Sequence, residues 1–313
     1  MEQDELKNNQ KKILSASELI KLNLPKVKWI INDVLPSGLT ILAGRPKSGK
    51  SFLALDLGIT VTSGSNFLGK YKSNVSNVLY ISNEDSYNRL QDRINKIILS
   101  KAIDDQSSLE NIYTDTDFPI LNDYGLSVLK NIIIEKQIDL VIIDTFFKQA
   151  YFPKGNKNYY AKEYETTGIL QTFARETNIC MLLVHHTRKG VVDNISDAIL
   201  GTTGISGSAD TIWIVDKQTG KTILEIEGKD VEPQSLSIEF KDFIWQYKGE
   251  YIENFLTPER KEILALIIKT GRPMQTSEIA NSLGKQSNNI STLLKKMVSE
   301  GVIKNVSYGL YSI

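Results

Sequence analysis

At 313 residues the chain is longer than a typical single domain, and it reads as one large α/β core with a small appended domain. Its 37 basic and 37 acidic side chains cancel, so overall charge points neither toward nor away from nucleic acid, and any basic surface has to be local. The single cysteine excludes an intramolecular disulfide, and no segment reaches the roughly 18 uninterrupted apolar residues of a membrane span, so a cytoplasmic protein with no membrane partner is expected.

Residues 1–12 are rich in Asn, Gln, Lys and acids, the composition of a disordered tail. A short amphipathic helix over 15–22 leads to Trp29 and to a β-branched apolar run at 39–43 that ends in glycine. Four more runs of strand length follow, at 77–82, 138–143, 179–184 and 211–215. Each is nearly continuous in Val, Ile and Leu, as in strands covered on both faces, and Cys180 within one of them is expected to be a core thiol. Helical periods over 51–63, 86–100, 123–136 and 160–177 separate the runs. Strand and helix in alternation predict a parallel sheet with right-handed crossovers. The runs 222–228 and 234–240 alternate more and predict an antiparallel extension at the sheet edge. Composition shifts near residue 250, which divides the chain into the tail 1–12, a core over 13–250 and a C-terminal domain over 256–313.

The segment Gly44, Arg45, Pro46, Lys47, Ser48, Gly49, Lys50, Ser51 satisfies G-x-x-x-x-G-K-[ST] and stands between a strand and a helix, the order this phosphate-binding loop needs. Backbone N–H groups of the loop and the helix N-terminus converge there on phosphate. Lys50 is expected to contact the β- and γ-phosphates of ATP and Ser51 to ligate Mg²⁺, with Phe52 completing the nucleotide-binding stretch. The run 138–143 ends in Asp144, the position from which a carboxylate holds Mg²⁺ through water. The run 77–82 is followed by the adjacent acids Glu84 and Asp85. Glu84 is the expected base for the attacking water, and Asp85 the expected N-cap of the next helix.

Together with Trp29, the phosphate loop, Tyr80 through Asp85, Asp144, His185 through Gly190 and Gly207 through Asp210, these residues resemble the RepA-like branch of the RecA-like hexameric-helicase superfamily, over residues 26–245. The resemblance implies a RecA-like P-loop ATPase core of a plasmid, phage or other mobile element, assembled as a homo-oligomeric ring, a hexamer, with ATP sites between subunits. It makes His185 or His186, at the end of a strand, the sensor of the γ-phosphate, with an ordinary strand-end histidine as the alternative. Where relatives carry Gly-Arg-Asp, this chain has Gly228-Lys229-Asp230, so Lys229 is the cation expected to reach a neighbouring subunit's nucleotide, with Lys217 as the other candidate. Lysine keeps the charge but loses the planar fork of guanidinium. Two loops are expected to face a central channel: one carries Lys148, Lys154 and Lys157 among aromatics, the other Arg188 and Lys189. Cations that track phosphates beside rings that stack on bases suit single-stranded DNA, whereas the alternative is two solvated surface loops.

After residue 256, three short helical periods and a terminal β-ribbon resemble a winged helix-turn-helix. The third helix opens with Gln286, Ser287, Asn288 and Asn289, the polar N-terminal residues that read base edges, and carries Lys295 and Lys296 further on. Duplex DNA is the expected partner, and a protein–protein role the alternative. The leading expectation is a replication motor that couples ATP hydrolysis to single-stranded DNA binding or translocation, working with other replication proteins. A helicase loader that does not unwind, and a DNA-binding regulator switched by nucleotide, are the alternatives.

Overall fold

The computed structural model describes residues 13–24, 26–103, 105–146, 159–187, 206–218, 220–251, 256–299 and 302–313. The N-terminal helix α1 (Ala16–Lys21) is closed by a capping box in which the Ser15 side chain accepts from Glu18 N–H and Glu18 reaches back to Ser15. Two small antiparallel pairs follow along the chain, β1 (Trp29–Ile31) with β2 (Leu35–Pro36), and β4 (Asn66–Phe67) with β5 (Tyr71–Lys72).

The central element is a nine-stranded sheet. Its parallel strands are β3 (Gly38–Gly44), β6 (Asn77–Ser82), β7 (Ile112–Asp115), β8 (Ile138–Asp144), β9 (Cys180–His186) and β10 (Thr211–Gln218). β11 (Lys221–Gly228), β12 (Gln234–Lys241) and β13 (Ile244–Glu250) continue it as an antiparallel meander, in the order β13-β12-β11-β10-β3-β9-β8-β6-β7. The crossover helices are α2 (Lys50–Ser63), α3 (Tyr87–Lys101), α4 (Asp123–Lys136) and α5 (Tyr159–Thr177).

Continuous apolar strands arise because each face of the sheet has its own core. Leu42, Leu140 and Ile142 point into one, filled by Leu53, Leu57 and Val61 of α2. Ile41, Val141 and Ile143 point into the other, filled by Leu129 and Ile133 of α4 and by Leu170 and Ala174 of α5. The period-two alternation of Cβ directions makes this division, and burial on both sides removes any need for alternating polarity. Trp213 is wholly buried, stacks on Phe67 with ring centroids 5.5 Å apart, and donates its indole N–H to the Val34 carbonyl at 3.1 Å. Such a ring pair adds about 1 kcal/mol to the burial itself. Cys180 is buried as expected, and burial pushes its thiol up to about 12.

Residues 256–311 supply a third core. Here α6 (Pro258–Thr270), α7 (Thr276–Ser282) and α8 (Ser287–Ser299) pack Ile263, Ile267, Ile279, Ile290, Leu294 and Met297 together with Tyr311. A three-stranded sheet of β14 (Met274–Gln275), β15 (Lys304–Ser307) and β16 (Leu310–Ser312) forms the wing, in the order β14-β16-β15.

Several details depart from the sequence reading. β7 was not expected; its four residues are all half-buried, too short and too mixed in polarity to stand out. β13 was not expected either, and it adds a fourth strand, with β10, to the antiparallel part. The expected tail and both channel loops, with Lys148, Lys154, Lys157, Arg188 and Lys189, lie outside the described residues. Among the described residues, no helix is long and apolar enough to cross a membrane.

Candidate active site

Parallel strands in one sheet bring their C-terminal ends to one edge, and that edge is where a doubly covered sheet binds ligands. Register places Gly44 opposite His186 and Val215, and Asp144 opposite Ser82 and Val184. The chain turns from β3 into α2 through Arg45–Gly49, and Gly49 holds the helix N-cap position at φ +90°. A Cβ on Gly49 would meet Trp245 Cζ2 at 2.6 Å, and one on Gly44 would meet the Val215 carbonyl oxygen at 2.6 Å. Only glycine fits at these two positions.

Lys50 is almost wholly buried and donates from Nζ to the carbonyls of Gly44 and Arg45, both at 2.9 Å, and to Ser48 Oγ at 3.4 Å. Burial pulls its ammonium down to about 8, against the carboxylates of Asp144 and Glu84, which favour the charge. Asp144 is also buried; burial raises its carboxyl, while the neighbouring Ser51 and Tyr80 hydroxyls oppose that shift. Tyr80 Oη donates to Asp144 Oδ2 at 2.8 Å, whereas Oδ1 meets no donor at hydrogen-bond geometry. A buried carboxylate oxygen with a free lone pair beside the first helical serine is the donor set of a hard, hydrated cation. The cradle without Cβ atoms, the buried ammonium and this oxygen together fit a Mg²⁺–nucleotide.

Glu84 stands exposed at the edge and accepts from Thr145 Oγ1 at 3.1 Å, with His186 Nε2 3.6 Å from the same oxygen. Both Glu84 and His186 line a cavity of about 820 Å³ that covers Lys47–Phe52. Of the two expected sensors, only His186 is in the site. His185 does not line the cavity: the alternation of the strand turns neighbouring side chains to opposite faces, and His185 is buried. Arg45 and Pro46 are exposed and do not line the cavity either; Arg45 takes part through its carbonyl to Lys50.

Asp85 does not cap the following helix. Ser86 holds the N-cap position, and Asp85 is buried and paired with Arg93 at 2.5 Å and Arg89 at 3.5 Å. Lys217 lines this chain's own cavity. Lys229 lies at the other end of β3, where it pairs with Asp210 at 2.8 Å; Asp210 also accepts from the Leu39 N–H at 3.0 Å and from Gln171 at 2.7 Å. Burial works against the Asp210 charge, and these donors more than offset it, holding the carboxyl below its ordinary value.

The remaining wall was not foreseen. It comes from β12 and β13, with Ser237, Ile238, Phe240, Trp245 and Lys248 facing the P-loop. Trp245 donates its indole N–H to the Gly49 carbonyl at 3.2 Å, across 196 residues of sequence, and no local periodicity carries such a pairing. In the C-terminal unit, Gln286, Ser287, Asn288, Asn289, Lys295 and Lys296 are all exposed. Thr257 holds the N-cap position of α6 but makes no side-chain capping bond.

Residues 3–191 match the family described as AAA domain, well over half of the chain. The chain belongs to the AAA domain family. Within that family it is a P-loop ATPase of RecA-like fold. Residues 260–304 match the family described as winged helix-turn-helix DNA-binding. Among solved structures, the chain resembles a KaiC-like protein from the hyperthermophilic archaeon Pyrococcus horikoshii OT3, at 13% identity and a TM-score of 0.51, over 70% of this chain and 94% of that one. At that identity the likeness shows the fold of the AAA core and nothing finer. No curated protein matches the sequence.

Proposed function

We propose that the chain is a DNA-dependent ATPase of a replication machine carried by a plasmid, phage or other mobile element. In this reading, residues 13–250 form a motor core that couples Mg²⁺–ATP hydrolysis to binding or translocation on single-stranded DNA, and residues 256–313 anchor it to duplex DNA. The observation that carries this reading is a P-loop whose Lys50 shares a cavity with Glu84 and His186, with Asp144 at the end of the neighbouring strand β8, in the same chain as a winged helix that exposes Gln286–Asn289. The resemblance of the motifs to the RepA-like helicases adds the ring, a homo-hexamer, and the replication setting.

Bound Mg²⁺–ATP supplies the phosphoryl group to be transferred and the cation that neutralises charge developing on it. Backbone N–H groups at the start of α2 bind the phosphates. Lys50 Nζ moves from the carbonyls of Gly44 and Arg45 to the phosphate oxygens. Ser51 Oγ and Asp144 Oδ1 would hold the cation, and Tyr80 fixes the Asp144 rotamer from its other oxygen. Glu84 Oε1, steadied by Thr145, takes the proton of the attacking water, and His186 beside it senses the state of the terminal phosphate. Lys217, which lines the cavity, acts in its own subunit, and Lys229 serves a neighbour in the ring. Lys148, Lys154, Lys157, Arg188 and Lys189 track the single strand in the channel.

Steady-state ATP hydrolysis with Mg²⁺, alone and with single-stranded or duplex DNA at two salt concentrations, tests the reading, because phosphate contacts make DNA affinity steeply salt-dependent. Stimulation by single strands is expected. Stimulation only by duplex, or by neither, would replace the motor with a helicase loader or a nucleotide-switched binding protein.

A further inference from the structure

The cavity over the P-loop holds about 820 Å³, the size of a site for a whole small molecule rather than for phosphates alone. One of its walls is built of rings. Phe240, on β12, is 41% exposed. It is backed by Phe52 of α2, with centroids 5.3 Å apart, and by Trp245 of β13, at 5.1 Å. The backing is rigid: Trp245 is buried and bonded to the Gly49 carbonyl, and Arg93 lies 5.3 Å from the Phe52 ring centre while its guanidinium is held by Asp85. A phenylalanine with an open face on such a stack, in a cavity that Lys47, Lys217, Lys221 and Lys248 also line, has hydrophobic surface that no other described residue covers.

We propose that Phe240, supported by Phe52 and Trp245, is a platform on which the purine ring of the nucleotide stacks, in the same subunit whose P-loop holds its phosphates. The inference rests on the nucleotide reading given above. Stacking depends on ring area and tolerates different base edges. Glu239, the carboxylate on this wall, is already engaged by Lys248 at 3.1 Å. The platform therefore favours purines over pyrimidines and discriminates little between adenine and guanine.

Calorimetric titration of the full chain in Mg²⁺ with ADP, GDP, CDP and pyrophosphate tests this, on the native protein and on Phe240→Leu and Phe240→Tyr. ADP and GDP are expected to bind within a few-fold of each other and CDP more weakly. Phe240→Leu is expected to weaken ADP about tenfold, Phe240→Tyr to leave it unchanged, and pyrophosphate to bind all three proteins alike. Pyrophosphate affinity also reports that the variants are folded. An unchanged ADP affinity in Phe240→Leu, or an equal loss for pyrophosphate, overturns the platform. If the native protein binds pyrophosphate as tightly as ADP, the platform falls while the P-loop reading stands; if it binds neither, both fall.

Discussion

Lys50 has its ammonium folded onto two loop carbonyls, and its removal deletes a side-chain cation buried in the cradle. Lys50→Ala is expected to abolish hydrolysis while the chain keeps its winged-helix fold and duplex binding; preserved turnover would remove the P-loop assignment. Glu84→Gln should retain nucleotide binding and lose about 10²- to 10⁴-fold in kcat, the usual worth of a general base. Asp85→Asn should behave differently. It leaves Arg93 without its carboxylate, costing about 2 kcal/mol of stability with little change in kcat, so thermal unfolding and turnover of the two variants separate base from brace. At Asp210 the carboxyl is held low, so its stabilising contribution is complete above the ordinary value of 3.8 and is lost as pH falls through the lower folded value. Asp210→Asn should flatten that part of the acid-unfolding curve. Lys229 is more than half exposed, and losing its pair with Asp210 should cost less than about 1 kcal/mol. A kcat loss of a hundredfold or more in Lys229→Ala would therefore mark a trans role, since stability alone could not produce it.

At the scale of elements, Gln286 just before α8 and Ser287, Asn288 and Asn289 on its first turn are exposed, while Ile290, Leu294 and Met297 are buried. Replacing Asn288 and Asn289 together by alanine should lower duplex DNA affinity, read by fluorescence anisotropy, and leave DNA-free ATP turnover untouched. Unchanged affinity would favour a protein–protein role for this domain. The main strands and helices were legible in the sequence because burial on two faces writes continuous Val, Ile and Leu runs, and because the phosphate loop is contiguous in the chain. Asp144 and Glu84 were legible as strand-end acids. What stayed hidden depends on contacts across the fold. His185 and His186 are adjacent in sequence, and only the phase of β9 decides which one enters the cavity. Phe240 and Trp245 have no motif, since their role comes from folding β12 and β13 over a loop that lies nearly 200 residues away.

For the molecule as a whole, light scattering in Mg²⁺ with a non-hydrolysed ATP analogue should give a mass six times the 35.2 kDa of one chain. A monomer under those conditions would leave Lys229 no neighbour to serve. The last strand of the core ends at Glu250 and the first helix of the winged unit begins at Pro258. Even fully extended, the seven residues between them reach only about 25 Å. Under the proposed function, in which the core binds single-stranded DNA and the winged unit duplex, so short a connection would make the two sites parts of one bivalent ligand-binding device. A duplex held by the winged helix would then present its adjoining unpaired strand to the core at an effective concentration of millimolar order, roughly the value for short linkers. On that proposal the core would need to hold single strands only weakly, releasing one segment before taking the next, while the winged helix would set residence on the template.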